Sequence, residues 1–441
     1  MYSLMDIALE SNKKIKVNFD GGELSSDGGM LVIKEFISKL KIDKLIKQTF
    51  KTTDEAKRRN HKDDENLFQM IYQIIASYFK DDDADELTNE PVFTTILEKE
   101  SLASQPTISR FHNRMDNNTL EQFNDIAIEL RRRAYSIEMP EMVLLDPDTT
   151  LLKTYGEQEG EGYNFYYGAN GYHPQMCYDG LTGDLLKAEL RKGSDHCSKG
   201  ITEFIQPLLD EYQNNYPDIK LFLRADSGYA ASELFTQCET NGVSYTIKLK
   251  NYKKIIKEAS EFVDELYEIT KENILDYAVV YGEFEYLGTN WDYPRRVICK
   301  VEKPQGQMFP IVSFFVTNMD LSPENIVLFY QNRGHMENFI KEGKNGFDFG
   351  AVSSQSEVVN ANRFQIHVLA YNIFNLFRRL VLPESMSKNL IDSIRMKLIK
   401  IAAKIVRSGR YIYFKLCSSC PYKDIFYKTL ESIWGLRPQL E

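Results

Sequence analysis

The chain has 441 residues, 43% hydrophobic and 27% charged, with a formal net charge of −10. That length exceeds one ordinary core and predicts two or three domains, and the balance is that of a globular protein, not a disordered or fibrous one. No long uninterrupted apolar run occurs, so no membrane-spanning helix and no membrane partner are expected; the first residues, Met1 to Asp6, lack a basic stretch leading into an apolar core, so no secretory signal is expected either, and the expected compartment is the cytoplasm.

Residues 1–140 read as a mainly helical N-terminal region. It opens on a short strand-like stretch, Ile15 to Phe19, closed by the turn signal Asp20-Gly21-Gly22. Leu67 to Phe79 and Leu120 to Tyr135 carry apolar residues at helical spacing. Between them, Ser104 is placed to cap a helix with Pro106 in its first turn. Such a helix could present Gln105, Thr107, Ser109, Arg110 and Asn113 to a DNA groove, or be an ordinary polar helix packed through Ile108 and Phe111. Basic clusters stand at Lys57-Arg58-Arg59 and Arg131-Arg132-Arg133, and acid gathers at Asp81 to Glu86. A net negative chain is mildly unfavourable for nucleic acid, so composition alone leaves DNA binding open.

From Met142 the pattern turns to strands. Met142 to Leu152 is apolar but broken by Asp146-Pro147-Asp148; Tyr163 to Tyr178 is aromatic; Asp184 to Arg191 alternates. A helix, Ser198 to Tyr212, leads to the strand Ile219 to Leu223 and on to Arg224-Ala225-Asp226-Ser227-Gly228, and a second helix, Ala231 to Thr240, leads to the strand Val243 to Leu249. Three hairpin-joined strands followed by two right-handed crossovers predict an α/β, ribonuclease H-like mixed sheet with helices on both faces, its first part spanning 141–250. A β-rich insertion domain is expected over 251–321, with a helix at Ile255 to Glu272 and a hairpin from Arg296 to Val316. Ser322 and Pro323 then start a helix or helix pair running to about Lys344, and Asn360 to Leu382 forms another, so that 322–382 would be the second part of the core. Residues 383–441 are basic: from Lys388 onward eleven Lys/Arg face four Asp/Glu. Cys417 and Cys420 have the spacing of half a zinc site with no second pair after them, and the six cysteines are expected as free thiols.

Placement singles out a few carboxylates among the 64 acidic residues. Asp148 lies on the first strand and Asp226 at the carboxyl end of the fourth, and those strands are neighbours in the expected sheet, so the two can converge. On a continuous helix Tyr330, Arg333, Glu337 and Lys344 would fall on one face. Phosphodiester attack needs an activated water or 3′-hydroxyl and a stabilised leaving oxygen, which two magnesium ions bridged by carboxylates provide, while Tyr330, Arg333 and Lys344 would hold the flanking phosphates. The histidines have no metal-ligand spacing, and no nucleophile elbow, phosphate loop or dinucleotide fingerprint occurs.

These residues carry a resemblance. The spacing Tyr330-x2-Arg333-x3-Glu337-x6-Lys344 resembles the Tyr-Arg-Glu-Lys branch of the bacterial insertion-sequence DDE transposases, and the Tyr172-His173-Pro174 and Arg224-Ala225-Asp226-Ser227-Gly228 segments look most like its insertion sequence 1380 group. The resemblance implies a catalytic, metal-holding triad of Asp148, Asp226 and Glu337, with Asp146 an alternative first carboxylate. Asp148 is preferred because Thr149 and Thr150 follow it as the family pattern has it, though a bulge expected at Pro147 blurs which carboxylate faces the metal. It further implies two Mg2+ (replaceable by Mn2+), double-stranded DNA as partner through inverted terminal repeats and target, a homodimer in the synaptic complex, cut-and-paste transposition, a hairpin intermediate, and Trp291 as a candidate flipped-base contact in the insertion. Terminal-repeat contacts fall to Gln105, Thr107, Ser109 and Arg110, helped by the basic C-terminal region, with the protein at the nucleoid when bound. The competing readings are a metal-dependent nuclease of the same fold without strand transfer, and an inactive, domesticated DNA-binding protein.

Overall fold

In the computed structural model, residues 6–54 and 58–439 are described, with all their side chains except that of His335. Lys57 of the first basic cluster and the His335 side chain therefore lie outside the described residues. The chain divides into two units, one of 1–137, 342–351 and 358–441, the other of 138–341 and 352–357.

The second unit is built on an eight-stranded sheet. Its strands in chain order are β1 (Met142–Thr149), β2 (Gln175–Asp179), β3 (Leu185–Glu189), β4 (Lys220–Ala225), β5 (Ser244–Leu249), β6 (Ala278–Tyr286), β7 (Arg295–Lys303) and β8 (Ile311–Thr317). Their spatial order is β6-β7-β8-β5-β4-β1-β2-β3. β1, β4 and β5 run parallel, and β2 is antiparallel to both β1 and β3. The order β3-β2-β1-β4-β5 with that one reversed strand is the ribonuclease H-like arrangement, and the crossover helices are α1 (Ile201–Asn215) and α2 (Ser232–Thr240). On one face of the central strands Val143, Leu145, Leu223, Ala225, Tyr245 and Ile247 are fully buried, and on the other Leu144, Arg224 and Thr246 are buried as well, as a sheet covered on both faces requires.

Three local outcomes differ from the sequence reading. The aromatic stretch Tyr163 to Tyr178 is not one strand: Gly162–Asn164 and Ala169–Tyr172 form a small separate sheet with Leu152–Lys153, and only Gln175–Asp179 joins the main sheet. Gly168, at φ +63, turns the chain between the first two. The hairpin strands of 251–321 extend the main sheet, because β8 pairs antiparallel with β5 from Thr246 to Leu249. The bulge expected at Pro147 is absent from the β1–β2 ladder, which runs regularly through Pro147 opposite Cys177; the irregularity lies between β2 and β3, at Cys177/Tyr178. Proline is tolerated there because the β1–β4 ladder has ended at Leu145, leaving that edge of β1 without ladder partners.

The first unit is mainly helical and joins both ends of the chain. Ala403–Arg407 pairs with Leu24–Ser25. The basic C-terminal region thus shares a unit with residues 1–137 instead of standing alone. The helix Gln105–His112 forms as expected, but the Ser104 hydroxyl makes no cap bond; the Asp85 carboxylate accepts from the Gln105 N–H at 2.8 Å instead. Arg110 and Asn113 are exposed, whereas Gln105, Thr107 and Ser109 are half-buried.

The long helix Glu357–Val381 is largely buried in this unit. On it His367 is enclosed, its Nδ1 2.6 Å from the Phe347 carbonyl, and burial lowers its pKa to about 4. A histidine kept neutral by the fold contributes stability that is complete above its unfolded value of 6.5 and drains as pH falls toward 4. Between pH 7.5 and 5 the loss from this residue is about 2 kcal/mol. Urea unfolding of the native protein and His367→Gln at both pH values should show the variant losing less stability on acidification; equal losses would assign the acid sensitivity elsewhere.

Candidate active site

The parallel register of β1 and β4 positions the site. Leu145 lies beside Leu223, so continuing the register sets Arg224 beside Asp146 and Asp226 beside Asp148. The two rows then diverge in chemistry.

Asp146 is 0% exposed and Arg224 2%, and they form a two-pronged ion pair, Nε to Oδ1 at 2.9 Å and Nη2 to Oδ2 at 2.6 Å. The third guanidinium nitrogen, Nη1, donates to the Phe329 carbonyl at 2.8 Å. Gly180 lies tight against this pair, since a Cβ there would come within 2.2 Å of Asp146 Oδ2. Asp146 is thus closed off by its own partner.

Asp148 and Asp226 face a different cation. Asp148 Oδ1 accepts from the Thr149 N–H at 2.8 Å, and its Oδ2 is 3.1 Å from Arg333 Nη2. Asp226 Oδ1 accepts from the Gly228 N–H at 2.8 Å, and its Oδ2 is 4.0 Å from the same Nη2. Each carboxylate has one oxygen fixed by a backbone amide and the other turned toward one guanidinium. Gly228 lies tight against Cys197, since a Cβ there would come within 2.4 Å of its Sγ. Burial pushes the Asp148 carboxyl up to about 6 against the opposing pull of Arg333, while the Asp226 side chain is 42% exposed. Arg333 itself is nearly buried, and its Nε and Nη2 have no hydrogen-bond partner, so its contact with the aspartates is ionic and its donors are not consumed.

Arg333 reaches this position because the stretch forms the helix pair, not the one continuous helix, of the two forms expected. α3 (Pro323–Gln331) ends at Asn332, and α4 (Gly334–Gly346) begins after Arg333. The one-face stripe of Tyr330, Arg333, Glu337 and Lys344 therefore does not lie on a continuous helix. Tyr330, on α3, packs its ring 4.7 Å from that of Phe315, against a cluster that includes Ile298, Met319, Ile326 and Val327; burial raises its hydroxyl pKa to about 12. Glu337 is exposed in the first turn of α4, and Lys344, two turns further along that helix, is exposed in its last. Among the described residues no three His, Cys, Asp or Glu side chains form a group suited to a metal ion. Asp148 and Asp226 come together, and Glu337 does not complete a triad with them.

Trp291 packs in the insertion, edge-on to Phe235 and Tyr286 and against Gly288, where a Cβ would approach its ring to 2.7 Å. Cys417 is exposed and Cys420 half-buried, in a tight turn closed by the Cys420 N–H to the Cys417 carbonyl.

The sequence reading missed the buried surroundings of the two aspartates. Tyr229 is 0% exposed, its hydroxyl has no partner, and the Asp148 and Asp226 charges help hold that hydroxyl protonated after burial, the larger cause. Arg191 ties the His173 and Lys199 carbonyls together and so frames the loop that carries Cys197. The signal for Tyr229 was its place directly after Asp226-Ser227-Gly228; Arg191 had none beyond ending a strand.

A family model described as "Transposase DDE domain group 1" matches residues 7–438. No curated protein matches the chain. Among solved structures, the chain is similar to a piggyBac transposase synaptic complex with hairpin DNA, at 13% identity and a TM-score of 0.45, over 85% of this chain and 80% of that one. It is also similar to a Mos1 transposase paired-end complex with left transposon end, at 13% identity and a TM-score of 0.18, over 44% of this chain and 61% of that one. No described helix is long and apolar enough to cross a membrane.

Proposed function

The chain belongs to the DDE transposase family, domain group 1, and on that premise we propose that it cuts and rejoins DNA in cut-and-paste transposition of a bacterial insertion sequence of the 1380 type. The observation that carries this reading is the convergence of Asp148 and Asp226 on Arg333, each through the one oxygen that no backbone amide holds. Paired carboxylate oxygens are hard donors of the kind magnesium takes, and magnesium keeps waters at its remaining positions, so two aspartates supply an adequate anchor. Bound there, the metal would activate the attacking oxygen and stabilise the leaving one. Glu337 would complete the set upon DNA binding, through movement of the first turn of α4, which follows the break at Arg333. Arg333, with its uncommitted donors, would then bind a phosphate oxygen beside the cut, and Lys344 the phosphate further along.

The helix Gln105–His112, through the exposed Arg110 and Asn113, would read the terminal repeats, two copies of the chain would pair the ends, and the cytoplasm would be the working compartment. The test is an assay with pre-cut element ends, a supercoiled plasmid target and magnesium. The expected result is joined product from the native protein and almost none from Glu337→Gln or in EDTA. Cleavage without joining would leave a nuclease. Undiminished joining by Glu337→Gln would remove that residue from the site.

A further inference from the structure

Just past β1 the chain enters the small sheet of Leu152–Lys153, Ala169–Tyr172 and Gly162–Asn164. The hairpin between its last two strands is tipped by Tyr163-Asn164-Phe165-Tyr166-Tyr167-Gly168, and its rings face solvent: Phe165 is 91% exposed and Tyr166 89%. A core would gain about 2 kcal/mol or more from each such ring. The turn is nevertheless firmly built. Asn164 Oδ1 accepts from the N–H groups of Tyr166 and Tyr167 at 3.1 and 3.3 Å, its Nδ2 donates to the Gly193 carbonyl at 2.9 Å, and its own carbonyl accepts from Gly168 at 2.8 Å. The rings are set edge to face, Tyr163 with Phe165 at 5.1 Å and Tyr166 with Tyr167 at 4.9 Å. The inner end lies near the active site: the small sheet begins at Leu152, three residues after the end of β1 at Thr149, and the Tyr167 hydroxyl feels the charges of Asp148 and Asp226. Exposed lysines stand on the same small sheet and beside it, Lys153 and Lys192, while two acids of the preceding loop are engaged, Glu159 by the Glu357 N–H and Glu161 by the Thr154 hydroxyl.

We propose that this aromatic hairpin stacks unpaired bases of the DNA strand whose phosphodiester lies at Asp148 and Asp226. It deepens the DNA-cleaving reading of the site and rests on it. Every base has a π-face, so exposed rings on a fixed turn grip a single strand whatever its sequence, and nearby lysines meet its phosphates. The hairpin is continuous with the carboxylates, because Leu152–Lys153 follows directly on β1 and pairs with the hairpin strand Ala169–Tyr172, and this favours a strand in the site over a second copy of the chain as the occupant.

The test uses the full chain in EDTA, where binding is read without cleavage, with oligothymidine and a short blunt duplex as probes. Phe165→Ala/Tyr166→Ala should weaken oligothymidine binding by about ten-fold or more and leave duplex binding unchanged, with Phe165→Trp/Tyr166→Trp restoring it. A 2-aminopurine in the single strand should be quenched by the native protein and not by the alanine pair. Equal oligothymidine affinity in native and alanine proteins, or none in the native protein, overturns the proposal. So does a dimer that dissociates in the alanine pair while strand binding is kept. A native protein that binds the strand through these rings but never cleaves in magnesium would overturn the transposase chemistry and leave the stacking site standing.

Discussion

Asp226→Asn is expected to slow magnesium-dependent strand cleavage by about 10^3-fold or more while leaving the unfolding midpoint almost unchanged. The two halves of that expectation come from the same geometry. Asparagine retains an Oδ1 to accept from the Gly228 N–H, so the turn after β4 keeps its internal bond. The side chain is 42% exposed and stands 4.0 Å from Arg333, so little stability rides on its charge. What is lost is the second anionic oxygen opposite Asp148, and a cation shared between two carboxylates is then left with one. Asp148→Asn should slow cleavage comparably, though it also strips Arg333 of its nearer partner at 3.1 Å. Nicking of labelled element-end DNA measures the first half and thermal melting the second. Cleavage at the native rate by Asp226→Asn would take that residue out of catalysis.

The central sheet was legible because its signals are local. Alternating or apolar runs and the turn residues after Asp179 mark three strands, a helix, a strand, a helix and a strand, and chirality leaves few ways to join them. The position of Asp226 at a strand end was legible for the same reason. The roles of Asp146 and Asp148 were not, since both occupy one face of β1 and only the register against β4 sets Arg224 beside one and Asp226 beside the other. An arginine at the end of an apolar strand did signal a buried anion, and the run Arg224-Ala225-Asp226 laid against Asp146-Pro147-Asp148 contains both pairs. At the signature, spacing did not show where the helix breaks. Tyr330, Arg333, Glu337 and Lys344 fit a helical period, but Asn332 and Gly334 interrupt it, and the break brings Arg333, not Glu337, to the aspartates. Long-range pairings, β8 with β5 and Ala403–Arg407 with Leu24–Ser25, have no local signal at all.

Asp146→Ala should cost about 3–5 kcal/mol of stability, the largest loss expected from any single side chain near the site. The substitution leaves the Arg224 guanidinium 2% exposed and uncompensated, with two of its nitrogens facing the space the carboxylate filled. Arg224→Met alone should be comparably harmful, for it strands a carboxylate that is 0% exposed. Asp146→Ala/Arg224→Met together should cost clearly less than the two single losses added, because removing both members leaves no buried charge to desolvate. Urea unfolding of the four proteins closes the cycle, and strictly additive losses would mean that the ion pair does not act as a unit. The pair also bears on cleavage, though indirectly. Arg224 Nη1 holds the Phe329 carbonyl, next to Tyr330 and four residues before Arg333, so it fixes where the end of α3 leaves the guanidinium that faces Asp148 and Asp226. Cleavage by Asp146→Ala, measured well below its own melting temperature, should therefore fall less than in Asp148→Asn, even though its stability falls more. The reverse ranking would make Asp146 the carboxylate that does the chemistry.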